Sequence, residues 1–98
     1  MHKCGGLGKT MEATSEVQAL CDQVKVEVEQ KCEKNFTKFV AICYKTQVVC
    51  GTNYFVKIDT GVGFIHVRIY VALPHTKQPP SFDGVQQDKT REDEIHHF

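Results

Sequence analysis

The chain has 98 residues, 41% of them hydrophobic, and its twelve basic and twelve acidic side chains cancel to a formal net charge of zero. A chain of this length builds one core that buries roughly 60–65% of its unfolded surface, so a single domain spanning 1–98 is expected. Balanced charge supplies no field to gather nucleic acid or anionic lipid, and neither is expected as a partner. No stretch nears the ~20 consecutive apolar residues of a membrane span, and the N-terminus lacks the basic-then-apolar pattern of a secretion signal. A cytoplasmic protein is therefore expected, with the nucleus left open. The five cysteines, Cys4, Cys21, Cys32, Cys43 and Cys50, are odd in number and contain no Cys-x-x-Cys pair. That suggests reduced thiols, without a disulfide framework, a metal site or a cofactor.

Met1 to Thr14 has three glycines in its first eight residues and few large apolar side chains, and reads as a flexible arm at about 1–14. Gly5-Gly6-Leu7-Gly8-Lys9-Thr10 has half the look of a phosphate-binding loop, but Lys3 stands where that pattern requires glycine and no strand precedes it. Ser15-Glu16-Val17-Gln18 reads as a capping box with Ser15 as N-cap. Val17, Leu20, Cys21, Val24, Val28, Lys31 and Cys32 then recur at helical spacing, leaving Val26 off the stripe and Asn35 as the stop signal. The spacing makes Cys21 and Cys32 core fillers. Asn35-Phe36-Thr37 is a formal glycosylation sequon that carries no weight without a secretion signal.

Phe39 to Thr46 is rich in apolar and β-branched residues, and Thr52 to Ile58 alternates; both read as strands. Asp59-Thr60-Gly61-Val62-Gly63 supplies turn chemistry. Ile65, Val67, Ile69, Val71 and Leu73 then alternate with Phe64, His66, Arg68, Tyr70 and Ala72, the clearest strand in the sequence. Thr76 to Glu94 reads as a long surface excursion and Ile95 to Phe98 as a short closing strand. One amphipathic helix before a run of strands implies an α+β domain, the N-terminal helix packed across an antiparallel sheet of four to five strands.

Between the first two strands lies Gln47-Val48-Val49-Cys50-Gly51. Strand-to-strand turns normally recruit Asn, Asp, Gly, Pro or Ser, and only Gly51 fits. An apolar tip that is costly to leave in water is a candidate contact surface. Periodicity alone serves equally well for one buried strand from Ile42 to Ile58.

Gln47-Val48-Val49-Cys50-Gly51 resembles the Gln-Val-Val-Ala-Gly signature of the cystatins, inhibitors of papain-like cysteine proteases. Cys4-Gly5-Gly6, Thr52-Asn53-Tyr54-Phe55, Leu73-Pro74-His75 and the final Phe98 narrow the resemblance to the stefins, the unsecreted, disulfide-free branch. It covers essentially the whole chain. The resemblance implies a helix-on-sheet fold and reversible, tight binding to cathepsin-type proteases through three segments: the arm at Cys4 and Gly5, the first loop at Gln47, Val48, Val49, Cys50 and Gly51, and a second loop at Pro74 and His75. Gly5 suits close backbone approach, having no Cβ. Two departures stand out: Cys50 replaces the signature's alanine, and His96-His97 stand where the family often has Thr-Tyr. A monomer is expected, with strand exchange through exposed sheet edges left open. A binding module without inhibitory activity is the alternative reading, motivated by Cys50.

Two enzymatic readings compete. Asp59-Thr60-Gly61 is the catalytic tripeptide of homodimeric aspartic proteases, but here it sits in a turn-like context between strands. Five cysteines and five histidines invite a nucleophile–base pair, yet Cys50 has no adjacent cation to activate it and so small a domain leaves little room for a substrate cleft. The expectation is a protein that is not an enzyme.

Overall fold

The structure, a computed structural model, describes residues 6–98. Its elements are β1 (Met11–Glu12), α1 (Ser15–Cys32), β2 (Val40–Val49), β3 (Gly51–Asp59), β4 (Phe64–Val71), a single 3₁₀ turn at Pro74–Thr76, and β5 (Ser81–Lys89). All neighbours pair antiparallel, and the sheet order β1-β2-β3-β4-β5 follows the chain.

The helix forms where the apolar spacing requires it. Val17, Cys21, Val24, Val28 and Cys32 are all buried, whereas Lys31 is exposed and Val26 is 63% exposed. Its caps differ from the sequence reading. Thr14, not Ser15, is the N-cap: its backbone is extended and its hydroxyl oxygen accepts from Val17 N at 3.2 Å. Gln18, expected to close a capping box, reaches the sheet instead. Its Nε2 donates to Phe39 O at 2.9 Å and its Oε1 accepts from Ala41 N at 2.8 Å, so one amide side chain ties the start of β2 to the helix. At the other end the chain turns at Glu33 (φ 57°) rather than at Asn35, with Glu33 N and Lys34 N donating back to Gln30 O and Glu29 O. The turn comes directly after Cys32, the last core position, at the expense of placing a non-glycine residue in the left-handed region.

Strand alternation gives the sheet two buried faces. Toward the helix it presents Ala41, Val56, Ile58, Ile65, Val67 and Ile69, which join the helix stripe, Phe36 and Phe39 in one core, flanked by Tyr44, Tyr54, Val71, Phe82 and Val85. The far face carries cross-strand rows of a different kind: Lys45, Phe55 and Arg68 in one, Lys57 and His66 in the next. Lys45, Phe55, Lys57 and His66 are nonetheless buried.

The last nine residues do the covering. Lys45 Nζ donates to Ile95 O at 2.8 Å, Lys57 Nζ to Asp93 O at 2.7 Å and also to Arg91 O, and Arg68 donates to Phe98 O. Phe55 meets Phe98 edge-on with ring centroids 5.5 Å apart, and Ile95 is buried. Burying ammonium groups is tolerable only when they are hydrogen-bonded, and here backbone carbonyls of the tail meet that need. The segment expected as a surface excursion is therefore wrongly divided in the sequence reading. Residues 81–89 form β5, and 95–98 are not a closing strand but part of a tail laid over the far face. The arm also differs from an unpaired segment: Gly8 N donates to Thr46 O at 2.9 Å and Met11–Glu12 pair with Tyr44 and Cys43.

Candidate functional site

The register brings three segments to one end of the sheet. Val49 pairs with Gly51, so β2 and β3 run as an uninterrupted ladder to a single tip residue, Cys50. Of the two readings of this stretch, a turn between strands is the one the fold adopts. Thr52 pairs with Val71, which puts the end of β4, and hence the Leu73–Lys77 turn, beside the same tip. The arm runs antiparallel to β2, with Glu12 at Cys43, Met11 at Tyr44 and Gly8 at Thr46, so from Glu12 back to Gly8 it advances toward that end as well. Cys4 and Gly5 lie outside the described residues.

Each part is locally fixed. Gly51 has φ 108° and is buried against β4. A Cβ there would stand 2.6 Å from Val71 O and 2.8 Å from Tyr70 Oη, so only glycine fits both the conformation and the space. Asn53 Nδ2 donates to Gln47 Oε1 at 3.0 Å across the hairpin, and Tyr70 Oη donates to the Cys50 carbonyl. In the second loop Thr76 N and Oγ1 both reach Leu73 O, at 3.0 and 2.7 Å, and Lys77 N reaches Pro74 O at 3.1 Å. That 3₁₀ turn holds Pro74 and His75 outward, both exposed.

The surface so built is apolar and uncharged at the first loop. Val48 is 69% exposed, Cys50 is exposed and Leu73 is 41% exposed. Val49 is only half-buried, so Val48 is the more prominent of the two valines. The site is a projection, whereas a concavity of about 640 Å³ opens at the opposite end of the sheet, between Asn35–Thr37 and the β3–β4 turn. No grouping of three or more His, Cys, Asp or Glu side chains that could hold a metal occurs among the described residues.

Asp59 behaves as a turn residue. Its Oδ1 accepts from Gly61 N at 2.8 Å and its Oδ2 pairs with Lys38 Nζ at 3.0 Å. The Gly61 N–H first, and Lys38 second, hold its carboxyl below the ordinary range, the opposite of what a shared-proton carboxylate dyad does to one of its members. The thiols divide by burial. Cys21 is pushed up to about 12 and Cys32 is also raised, both chiefly by burial, while Cys43 is half-buried and Cys50 open to solvent.

The structure thus places Gln47, Val48, Val49, Cys50, Gly51, Pro74 and His75 at one end of the sheet. Sequence reasoning missed Tyr70, Asn53 and Leu73. The alternation of β4 had already set Tyr70 apart from the core-facing residues, but only the register Gln47–Asn53–Tyr70 reveals it beside the loop.

An N-terminal helix on a sequential antiparallel sheet, with apolar loops gathered at one end, defines a cystatin-type domain, and the family model for the cystatin domain matches residues 5–92; the chain belongs to the cystatin family. Within the family it is a stefin. It is 42% identical over 95 residues to leukocyte cysteine proteinase inhibitor 1 of Sus scrofa, covering 96% of this chain and 92% of the relative. It is 41% identical over 96 residues to cystatin-B of Homo sapiens, covering 97% and 98%, and 40% identical over 95 residues to stefin-C of Bos taurus, covering 96% and 94%.

Proposed function

We propose that this chain is a reversible, tight-binding inhibitor of papain-like cysteine proteases of the cathepsin type, acting as a monomer. The carrying observation is the convergence of two projecting loops and the N-terminal arm on one end of the sheet, where Val48, Cys50 and Leu73 stand exposed without a charge among them. Relatives of near-equal length include one named as a cysteine proteinase inhibitor, which supports the same reading.

A protease cleft is a slot shaped for an extended peptide. The tip enters it as a rigid edge, burying Val48 and Val49 as apolar anchors. The β2–β3 ladder is hydrogen-bonded up to the tip, so little conformational freedom is lost on binding. A peptide bond held in that hairpin has no freedom to settle into the attack geometry that the catalytic cysteine needs, so binding is not followed by cleavage. The arm and the Pro74–His75 turn extend the contact on either side. Cys21, Cys32, Cys43 and Cys50 are all unpaired thiols, which suits a reducing compartment such as the cytoplasm.

Titrating active papain with the purified chain in reducing buffer tests the reading. Activity should fall linearly to zero at one inhibitor per active site. Val48→Asp should weaken inhibition on the order of a hundredfold with an unchanged circular dichroism spectrum, because a carboxylate must lose its water to enter the cleft. Saturable binding without loss of activity would establish a non-inhibitory module instead.

A further inference from the structure

Tyr70 stands in the far-face row that runs from Gln47 through Asn53, at the end of β4 nearest the tip. Its phenol donates to the carbonyl of Cys50, twenty residues earlier in the chain. Cys50 is the one residue between β2 and β3, so its peptide group belongs to neither strand. Tyr70 supplies the anchor that the ladder does not. The same hydroxyl also lies against Gly51, where an added Cβ would come within 2.8 Å of it, so the tip and β4 are in direct contact there. β4 ends at Val71, and Leu73 and the Pro74–Thr76 turn follow at once. One side chain therefore links the first loop to the strand that launches the second.

We propose that Tyr70 is a positioning residue for protease binding: its hydroxyl fixes the peptide at Cys50, and through it the angle between the Val48–Val49 edge and the Pro74–His75 turn. The proposal rests on the inhibitor reading above. Two loops that must enter one cleft together bind as a unit only if their relative placement is set beforehand. Each arrangement the free loop can otherwise adopt lowers the fraction of molecules competent to bind. The Asn53 Nδ2–Gln47 Oε1 hydrogen bond holds the hairpin's two strands to each other, and the Tyr70 hydroxyl adds a bond from β4 to the tip residue itself.

The test is Tyr70→Phe, which removes the hydroxyl and keeps the ring. Carbon-13 spectra of the free protein should show the Cys50 carbonyl moving upfield as its hydrogen bond is lost, with increased fast motion at the Val48 and Val49 methyl groups. The thermal midpoint should change by only a few degrees. The inhibition constant for papain should rise about tenfold, corresponding to about 1.4 kcal/mol. A residue that merely supported the fold would lower the midpoint and leave the inhibition constant of the folded protein unchanged, and that result overturns the proposal. An unmoved Cys50 carbonyl overturns it as well. Failure of the unaltered chain to inhibit papain would remove the inhibitor reading and this proposal with it, whereas tight inhibition by both proteins removes the proposal alone.

Discussion

Replacing His66 by leucine should make the fold less sensitive to acid. His66 is fully buried on the far face, and neither ring nitrogen has a hydrogen-bond partner among the described residues. Lys57, Lys89 and His96 face it with positive charge and Asp93 with negative. Burial first and Lys57 second push it down from 6.5 to about 4. The unfolded chain therefore takes up a proton near pH 6.5 that the fold refuses until about pH 4. Stability from this group is complete above pH 6.5, drains away as pH falls toward 4, and changes no further below that, where both states carry the proton. At about 1.4 kcal/mol per pH unit, that window corresponds to about 3 kcal/mol. Asp59 and Glu94, whose carboxyls are held below their ordinary values, add losses of their own as pH falls through those values, in both proteins alike; Asp93 is held down chiefly by its Thr90 hydrogen bonds and only last by His66, so its loss changes little between the two. Leucine matches the ring roughly in size and breaks no hydrogen bond. Urea unfolding followed from about pH 7 to about pH 4.5 should show the His66→Leu protein losing about 2–3 kcal/mol less than the unaltered chain. Parallel stability curves for the two proteins would mean that His66 is solvated or protonated in the fold, and the reasoning would fail.

Gly51→Ala should cost about 2 kcal/mol of stability and weaken papain inhibition together, since the new methyl meets Val71 O and Tyr70 Oη in a left-handed backbone; an unchanged denaturation midpoint would refute the clash. Cys50, exposed at the tip, should make inhibition redox-sensitive. Inhibitor pre-treated with glutathione disulfide and then freed of it should inhibit a protected protease poorly, recover with reductant, and be unaffected by treatment in the Cys50→Ala variant. Cys21, pushed up to about 12 by burial, should stay unmodified, and equal inhibition by protein shown by mass to carry glutathione at Cys50 would place that residue outside the cleft.

The helix and β2 to β4 could be read from sequence because each carries enough apolar residues at a single period to identify a core face. β5 could not, for two physical reasons. As an edge strand it adds only Phe82 and Val85 to the core, and register shifts beside Arg68–Ile69 and Phe64–His66 break the alternation that would mark it. The tail was illegible for a different reason: it is held largely through its backbone carbonyls, at Arg91, Asp93, Ile95 and Phe98, and a carbonyl leaves no trace in residue type. Lys45 and Lys57 consequently look like solvated charges when they are buried ones. At the helix start, Thr14 and Ser15 are both competent caps, and a contact made by Gln18 with β2, more than twenty residues on, accompanies the choice between them. The first loop was visible because its residues contradict ordinary turn chemistry, whereas Tyr70 became part of the site only through a register that no local pattern encodes.

Among the described residues, the helix covers one face of the sheet and the tail lies over the other. What the molecule can offer is its rim. Val48, Cys50 and His75 are exposed and belong to no part of the core cluster, so substitutions there and substitutions in the core should add independently. The architecture thereby separates selection on what is bound from selection on remaining folded, and a lineage carrying it is free to explore new targets at the tip from an unchanged interior.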